Sequence, residues 1–208
     1  MINCIQPLAS RLLKYMARKT DPAKRDAIIF NARKLFKEKG VEGTTIPEIA
    51  SGAGIATGTV YLYFKSKMEI VNTLCDYYVL GHIEAITPEL DSPASKAIVD
   101  IIQSALLYAS RNADLVRLID QHRSVDGKIS RPEAEKVLQR VLRTWLGKCM
   151  EEGQIIPYNT VVLAELVGGM VEWISKICFA WSDVDPMRYE DTLVKLLHHA
   201  LLKDYKET

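Results

Sequence analysis

The side chains best suited to binding chemistry in this sequence lie within one short stretch, residues 44–67, which reads TTIPEIASGAGIATGTVYLYFKSK. Thr and Tyr hydroxyls and a lysine ammonium bind phosphate oxygens, apolar side chains contact thymine methyl groups, and glycine lets a backbone approach a partner closely. These are the contacts with which proteins hold double-stranded DNA. We predict DNA contacts from Thr45, Thr57, Gly58, Thr59, Tyr61, Leu62, Tyr63 and Lys67.

The same stretch predicts the elements that must position those side chains, two short helices joined by a tight turn. Thr45 and Glu48 have the spacing of a capping box at the start of the first helix, and Gly52 and Gly54 end that helix. The second helix is predicted from about Thr57 to Phe64. Its inward side is predicted to carry Val60, Tyr61 and Phe64, and its outward side Gly58, Thr59, Leu62 and Tyr63. Such a helix fits the major groove as a recognition helix.

The order of residues here resembles the DNA-binding signature of the TetR family of transcriptional regulators. The shared residues are Thr44-Thr45, Ile49-Ala50, Ala53-Gly54-Ile55, the run from Gly58 to Phe64, and Lys67. The resemblance implies a helix-turn-helix domain, a phosphate contact at Lys67, and a C-terminal ligand pocket whose occupancy the fourth helix passes to the recognition helices. Ala56 stands where the family commonly has Ser, so we expect Thr57 to become the cap and to shift the helix start by one residue.

The outward side of the recognition helix indicates how a DNA sequence would be recognised. It carries no Arg, Lys, Asn or Gln, so bidentate contacts to guanine or adenine are not expected from it. Leu62 and the Thr59 methyl group can touch thymine methyls, and Thr45, Tyr63 and Lys67 can hold phosphates. We therefore expect recognition to depend largely on DNA shape and backbone fit.

Two other kinds of site are disfavoured by their context. Gly52, Gly54 and Gly58 suggest a dinucleotide fingerprint, but the third glycine is one residue late and a capped helix precedes it where a strand is required. No recognised nucleophile motif or metal-ligand spacing is present, so we predict neither an enzyme nor a metal or cofactor site. The histidines are scattered along the chain: His82, His122, His198 and His199.

Composition and charge describe an ordinary globular chain with a basic N-terminal end. The 208 residues are 48% hydrophobic and 25% charged, which is typical of soluble proteins. Residues 1–70 contain twelve Lys and Arg against six Asp and Glu, and the other 138 residues contain fifteen against twenty. A basic end on an otherwise acidic protein suits a module that faces phosphates, although a solvated basic helix would look the same.

The cysteines and the most apolar segment indicate a cytoplasmic protein that does not enter the membrane. Cys4, Cys75, Cys149 and Cys178 have no paired spacing, so we interpret them as reduced. Residues 161–181 are strongly apolar but are interrupted by Glu165, Glu172 and Lys176, which argues against a membrane span.

Capping residues and apolar periodicity predict about nine helices and no alternating strand, and hence an all-α fold. We expect an N-terminal three-helix helix-turn-helix domain over residues 21–66 and a C-terminal helical bundle for effector binding and dimerisation over residues 67–208. Residues 1–20 are expected to be an extension, either a disordered leader or a basic arm that touches DNA.

The last two predicted helices carry more apolar residues than one buried face requires. We therefore expect a two-fold homodimer in which this pair from each subunit forms a four-helix bundle. A large monomeric core is the alternative. Gly168 and Gly169 would allow close helix approach in such a bundle.

Aromatic and polar residues on the middle helices are candidates for a small-molecule pocket. The candidates are Tyr78, His82, Tyr108, His122, Trp145, Cys149 and Trp173. The alternative for each is a place in the core. The hypothesis from the sequence is a homodimeric DNA-binding repressor released by a small-molecule ligand. A regulator without such an effector and a helical enzyme are the competing hypotheses.

Overall fold

A computed structural model describes residues 21–122, 124–125, 128–129, 133–182 and 184–203, and these residues form an all-α fold. The nine α-helices of the described residues are α1 (Pro22–Lys39), α2 (Ile46–Gly52), α3 (Thr57–Tyr63), α4 (Lys67–Ile86), α5 (Ala94–Arg111), α6 (Ala113–His122), α7 (Glu133–Glu151), α8 (Thr160–Lys176) and α9 (Met187–Leu201). The predicted fold class is therefore confirmed. The extension predicted at residues 1–20 lies outside the described residues.

Three short elements were not predicted. A 3₁₀ turn (Thr87–Asp91) follows α4, and a π-helical turn (Ile177–Trp181) continues α8. Between α6 and α7, Ser124–Val125 pairs antiparallel with Lys128–Ile129 as a small hairpin. Each of these strands has only two residues, which is too short for an alternating pattern to be visible in the sequence.

Local capping residues mark the ends of α1 and the start of α8. The Asp21 carboxylate accepts a hydrogen bond from the Ala23 N–H at 3.0 Å, and Gly40 follows α1 with a φ of +74°. The Asn159 side-chain oxygen accepts from the N–H groups of Val161 and Val162 at 3.0 and 3.3 Å at the start of α8. These side chains satisfy N–H groups that have no partner within the helix, so the boundaries are fixed by neighbours in sequence.

The apolar interior is divided into two clusters, and α4 contributes to both of them. The first cluster joins α1, α2, α3 and the N-terminal part of α4 to α6, and the second joins the C-terminal part of α4 to α5, α7, α8 and α9. On α4, Ile70 is fully buried in the first cluster and Ile83 is 1% exposed in the second. Because α4 is packed at both ends, a movement of one end of this helix would be carried to the other.

Arg25 links α1 to α4 and to the end of α3. Its guanidinium donates a hydrogen bond to the Tyr77 hydroxyl at 2.5 Å. The same group lies 5.0 Å from the centre of the Phe64 ring, at the end of α3. A guanidinium at this distance from an aromatic face is attracted to it. Arg25 therefore holds α3 and α4 in a fixed relation to α1.

Within the described ranges, every helix falls short of the combination of length and apolar character that a bilayer crossing requires.

Candidate nucleic-acid interface and ligand cavity

The start of α2 is organised around the Glu48 carboxylate. This group accepts hydrogen bonds from the Thr45 backbone N–H at 2.8 Å and from the Thr45 hydroxyl at 2.7 Å, and it pairs with the Lys39 ammonium. These hydrogen bonds, that from Lys39 first, lower the pKa of Glu48 to about 2. The predicted capping box is present. Since the Thr45 hydroxyl donates to Glu48, a phosphate contact from that hydroxyl would have to compete with the carboxylate.

The turn between α2 and α3 depends on Gly54. Its φ is +67°, a conformation in which a side chain is strained. The Gly54 N–H donates to the Ser51 carbonyl at 3.1 Å, and the Ile55 N–H donates to the Ala50 carbonyl at 3.0 Å. This tight turn sets the angle between the two short helices of the helix-turn-helix.

The expected shift of the α3 start is wrong. Ala56 is the N-cap residue, with an extended φ of −71° and ψ of 145°, and Thr57 is the first helical residue. The Ala56 carbonyl accepts a hydrogen bond from the Thr59 N–H at 2.8 Å. A backbone contact of this kind needs no side-chain cap, so the turn geometry fixes the helix start even though alanine replaces a capping residue.

The faces of α3 were predicted correctly at Val60, Phe64, Gly58 and Leu62, whereas Thr59, predicted to face outward, is partly buried. Val60 and Phe64 are buried, whereas Leu62 is 74% exposed and Gly58 is exposed. Tyr61, predicted to face inward, is 54% exposed. Tyr63, predicted to face outward, is partly buried and packs against the first cluster. Tyr61 and Tyr63 lie about 80° from the line through Val60 and Phe64, on opposite sides of the helix, and tertiary packing covers only one side.

Lys67, the first residue of α4, lies beside the loop that precedes α2. Its ammonium donates a hydrogen bond to the Thr44 carbonyl at 2.9 Å. Thr44 is itself buried, and its hydroxyl donates to the Gly40 carbonyl at 2.7 Å. A lysine ammonium has three donors, so this bond leaves Lys67 able to reach a phosphate while it braces the loop.

The eight residues predicted to contact DNA differ in their exposure to solvent. Thr45, Gly58, Tyr61 and Leu62 are exposed, whereas Thr57, Thr59, Tyr63 and Lys67 are partly buried. None of these eight residues belongs to the fully buried core of the described chain. Their role as DNA contacts remains a prediction.

A cavity of about 430 Å³ lies between α4, α6, α7 and α8. This volume is within the range of small-molecule sites, roughly 300–1,000 Å³. Three of the predicted pocket residues, Tyr78, His82 and His122, line it. Tyr108 lies behind them, with its ring centre 5.6 Å from that of His82 in a stacked arrangement and 5.4 Å from that of Tyr78.

The other three candidates lie elsewhere. Trp145 and Cys149 are buried in the second cluster and do not line the cavity. Trp173 is 56% exposed, and its ring meets that of Trp181 edge to face at 4.8 Å between centres. The helical period identifies which residues share a face but not which partner helix covers that face, so these three were not separable from cavity residues by sequence.

Several polar residues that line the cavity were missed. Those with charged or amide side chains are Asn72, Asp76, Glu135, Gln139, Glu165, Glu172 and Lys176. Asn72 and Asp76 lie on the same stripe of α4 as Val79 and His82, so their spacing was an available signal. The contributions of α7 and α8 depend on how those helices cross α4, which no local pattern specifies.

Burial changes the titration of the aromatic side chains at this site. Burial lowers the pKa of His82 to about 4, so its imidazole is neutral at physiological pH. Burial, followed by the charges of Tyr108 and Glu172, raises the pKa of Tyr78 well above its ordinary value. Both rings are therefore uncharged hydrogen-bonding surfaces in the wall of the cavity.

A network of charged groups borders the cavity beside α6. The Lys176 ammonium lies 3.0 Å from a Glu172 oxygen and 3.6 Å from an Asp120 oxygen. The other Asp120 oxygen accepts a hydrogen bond from the Trp181 indole N–H at 2.6 Å. The network joins α6 to α8 and to the π-helical turn, so a ligand that displaces Lys176 would disturb all three.

The fold and this arrangement define a helix-turn-helix protein with a helical C-terminal domain that contains a cavity. Residues 28–74 match the family model of bacterial regulatory proteins of the tetR family. The match runs from Ile28 in α1 through α2 and α3 to Leu74 in α4, and identifies this part of the chain as a TetR-family DNA-binding region.

Named relatives and a solved structure agree with this assignment. The repressor KstR2 of Mycolicibacterium smegmatis is 30% identical over 48% of this chain and 50% of its own, so the match spans only half of that relative. The regulator HbdR of Aromatoleum sp. is 29% identical over 80% of this chain and 76% of its own. The fold is also that of the regulator FadR from Bacillus subtilis, solved with stearoyl-CoA, with a TM-score of 0.70, 20% identity, and coverage of 83% of this chain and 97% of FadR. These named relatives are regulators and not enzymes.

Proposed function

We propose that this protein is a homodimeric, DNA-binding transcriptional repressor that leaves its operator when a small molecule fills the cavity. The observation that carries the proposal is the course of α4. This helix begins with Lys67 against the helix-turn-helix and lines the cavity with Tyr78 and His82. From residue 67 to residue 82 it spans about 22 Å as one rigid element. Chromosomal DNA as the target makes the cytoplasm the proposed compartment.

The exposed surface of α3 supports DNA binding. Tyr61 and Leu62 are large side chains on a seven-residue helix, and both are more than half exposed. Apolar and aromatic groups that are exposed side by side mark a surface for interaction with a partner. On a recognition helix their partner would be the floor of the major groove, with Lys67 and Thr45 on the flanking phosphates.

Apolar groups exposed on α8 support a dimer through the last two helices. Val162, Leu166 and Trp173 occupy one stripe of α8 and are 50%, 54% and 56% exposed. Leu196 on α9 is 51% exposed. Exposed apolar groups on these two helices, which both pack against α5, fit an isologous interface with a second copy of the chain. The dimer would place two recognition helices on successive half-sites, about 34–36 Å apart or a multiple of that distance.

We propose that α4 and α6 together transmit the effect of ligand binding in the cavity to the DNA-binding helices. Both helices line the cavity, and both pack against the first cluster that includes α1, α2 and α3. A ligand that prefers a different spacing of these helices would favour a dimer whose recognition helices no longer match the half-sites.

The first test is DNA binding by purified protein, measured by fluorescence anisotropy at two salt concentrations with duplexes that flank its gene and with scrambled duplexes. We expect tight, salt-sensitive binding that prefers the native sequence. The double variant Tyr61→Ala/Leu62→Ala should lose this preference and keep its fold, because both side chains are exposed. Equal binding of native and scrambled duplexes would contradict the proposal.

The dimer is tested separately by sedimentation. Leu166→Glu and Trp173→Glu together should give a monomer that binds DNA weakly. Leu107→Glu is the matched control, since Leu107 is 51% exposed on α5, outside this surface. If the double variant sediments as the parent does, the interface lies elsewhere.

A further inference from the structure

Tyr108 on α5 lies between the rings that line the cavity and the contacts that hold α1. We propose that Tyr108 is a positioning residue that couples the cavity to the DNA-binding helices. A ligand that displaces the rings of the cavity wall would move Tyr108, and Asn112 would pass that movement to Arg33 on α1. The inference rests on the proposed function, because it names residues through which a ligand would release the protein from DNA.

The Tyr108 ring packs against the two ring side chains of α4 that line the cavity. Its centre lies 5.6 Å from that of His82, in a stacked arrangement, and 5.4 Å from that of Tyr78. The two rings of α4 meet edge to face, with 5.9 Å between their centres. Because a protein interior is close-packed, a displacement of one such ring is passed to its neighbours. A ligand that moves His82 or Tyr78 would therefore move Tyr108.

Gly81 lets the Tyr108 ring lie directly against the backbone of α4. A Cβ atom added at Gly81 would lie 2.7 Å from Cζ of Tyr108 and closer still to its hydroxyl oxygen. No larger residue fits at this position while the ring keeps its place. Burial raises the pKa of Tyr108, and the charge of Arg33 acts against that rise. The ring is therefore confined by α4 and lies near the guanidinium of α1.

Asn112 connects the end of α5 to α1 and to the start of α6. Its Nδ2 atom donates a hydrogen bond to the Tyr108 carbonyl at 2.9 Å, and its Oδ1 atom accepts one from Nη2 of Arg33 at 3.0 Å. Its own carbonyl accepts from the N–H groups of Leu115 and Val116 at 2.9 and 3.1 Å. Hydrogen bonds depend steeply on distance and angle, so a shift of Tyr108 would change how Asn112 holds Arg33.

The position of α1 affects the recognition helix. α1 packs against α2, and the Arg25 guanidinium on α1 lies 5.0 Å from the centre of the Phe64 ring at the end of α3. In a dimer, two recognition helices must match two half-sites at a fixed spacing, so a small change in the position of α3 lowers the affinity for DNA. A displacement of Tyr108 should therefore weaken DNA binding.

Gly81→Ala imitates the ligand, because the added methyl group must displace the Tyr108 ring. DNA binding of the full chain is measured by fluorescence anisotropy without any ligand, on the duplex that flanks its gene. We expect Gly81→Ala to weaken binding at least about fivefold, although alanine favours the helix. Gly147→Ala on α7 is the matched control, because its Cβ would meet nothing within 4 Å. It should bind DNA within about twofold of the parent. Unchanged DNA affinity in Gly81→Ala would overturn the proposal.

Second substitutions distinguish this coupling from a local loss of stability. Tyr108→Leu removes the ring that is displaced, and Asn112→Ala removes the connection to Arg33. In either background, adding Gly81→Ala should change the DNA affinity less than about twofold. Urea denaturation of each variant measures stability separately. A fivefold loss of affinity that persists in both backgrounds would contradict a path through Tyr108 and Asn112.

Tyr108→Phe provides a graded version of the same test. It removes the hydroxyl oxygen nearest to Gly81 but keeps Cζ, so Gly81→Ala should weaken DNA binding less in this background than in the parent. The comparison of Gly81→Ala/Tyr108→Phe with Tyr108→Phe also carries the test if Gly81→Ala alone does not fold. DNA affinity that is equal in these two variants and in the parent would overturn the proposal.

The parent protein separates this inference from the proposed function. Equal binding of native and scrambled duplexes by the parent would contradict the proposed function, and this inference with it. A parent that prefers the native duplex, together with a folded Gly81→Ala variant that binds it as tightly, would leave the repressor intact and remove Tyr108 as the coupling residue.

Discussion

Arg33 on α1 and Asp114 on α6 form a two-point ion pair between the helix-turn-helix domain and a helix that lines the cavity. The Nε and Nη2 atoms of Arg33 lie 2.7 and 2.8 Å from the two Asp114 oxygens, and Nη2 also donates to the Asn112 side-chain oxygen at 3.0 Å. Its hydrogen bonds to Asp114 raise the pKa of Arg33, and the same bonds lower the pKa of Asp114. Paired geometry of this kind fixes orientation as well as distance.

Replacing either partner of this ion pair should loosen α1 from α6. In a double-mutant cycle with Arg33→Met and Asp114→Asn, we expect a coupling energy of about 1 kcal/mol, because the pair is bidentate but partly exposed to solvent. Arg33→Lys should recover little of it, since lysine lacks the planar fork. Urea denaturation measures the cycle, with Arg117→Met on the exposed side of α6 as control. A coupling near zero would show that the pair does not hold the two helices together.

Lys67→Ala should weaken binding to all DNA sequences by a similar factor and lower the slope of log affinity against log salt by about 0.9, because one phosphate contact is lost. Lys65→Ala is the neighbouring control, an exposed lysine whose side chain has no described contact with the Thr44 carbonyl. Anisotropy titrations at several salt concentrations provide both values. A loss confined to one operator sequence would rule out a phosphate role for Lys67.

Substitutions at two nearby positions on α3 should separate an effect on stability from an effect on DNA binding. Val60 is fully buried, so Val60→Ala should reduce the free energy of unfolding by about 2 kcal/mol. Leu62 is 74% exposed, so Leu62→Ala should change stability by less than about 0.5 kcal/mol and still weaken DNA binding. Urea denaturation and anisotropy on the same preparations test the pair. Unchanged DNA affinity in Leu62→Ala would remove this side chain from the interface.

His82 should make the protein less stable in acid. Its folded pKa is lowered by burial from 6.5 to about 4, so the unfolded chain binds the proton more readily than the folded one. The stabilisation is complete above about pH 6.5 and is lost as the pH falls toward 4. Urea midpoints measured between pH 7 and pH 4 should fall less steeply for His82→Asn than for the parent. The exposed His199 gives the control variant His199→Asn, which should follow the parent.

The sequence by itself determined the elements and much of the helix-turn-helix. Capping residues such as Asp21, Ser66 and Asn159, and glycines such as Gly40, act on backbone groups within a few positions, so their effects are visible in the linear order. The buried line of α3 through Val60 and Phe64 follows from helical spacing for the same reason.

Tertiary packing decided features of the protein that local sequence patterns do not predict. It determined that Tyr63 and not Tyr61 is covered, that Trp145 lies in the core while Gln139 lines the cavity, and that Arg33 meets Asp114 across 81 positions. A helical period states that two residues share a face, but the neighbour of that face is chosen by the crossing of whole helices that minimises exposed apolar surface. Local chemistry therefore set where α1, α4 and α8 begin, and packing between distant helices created the cavity.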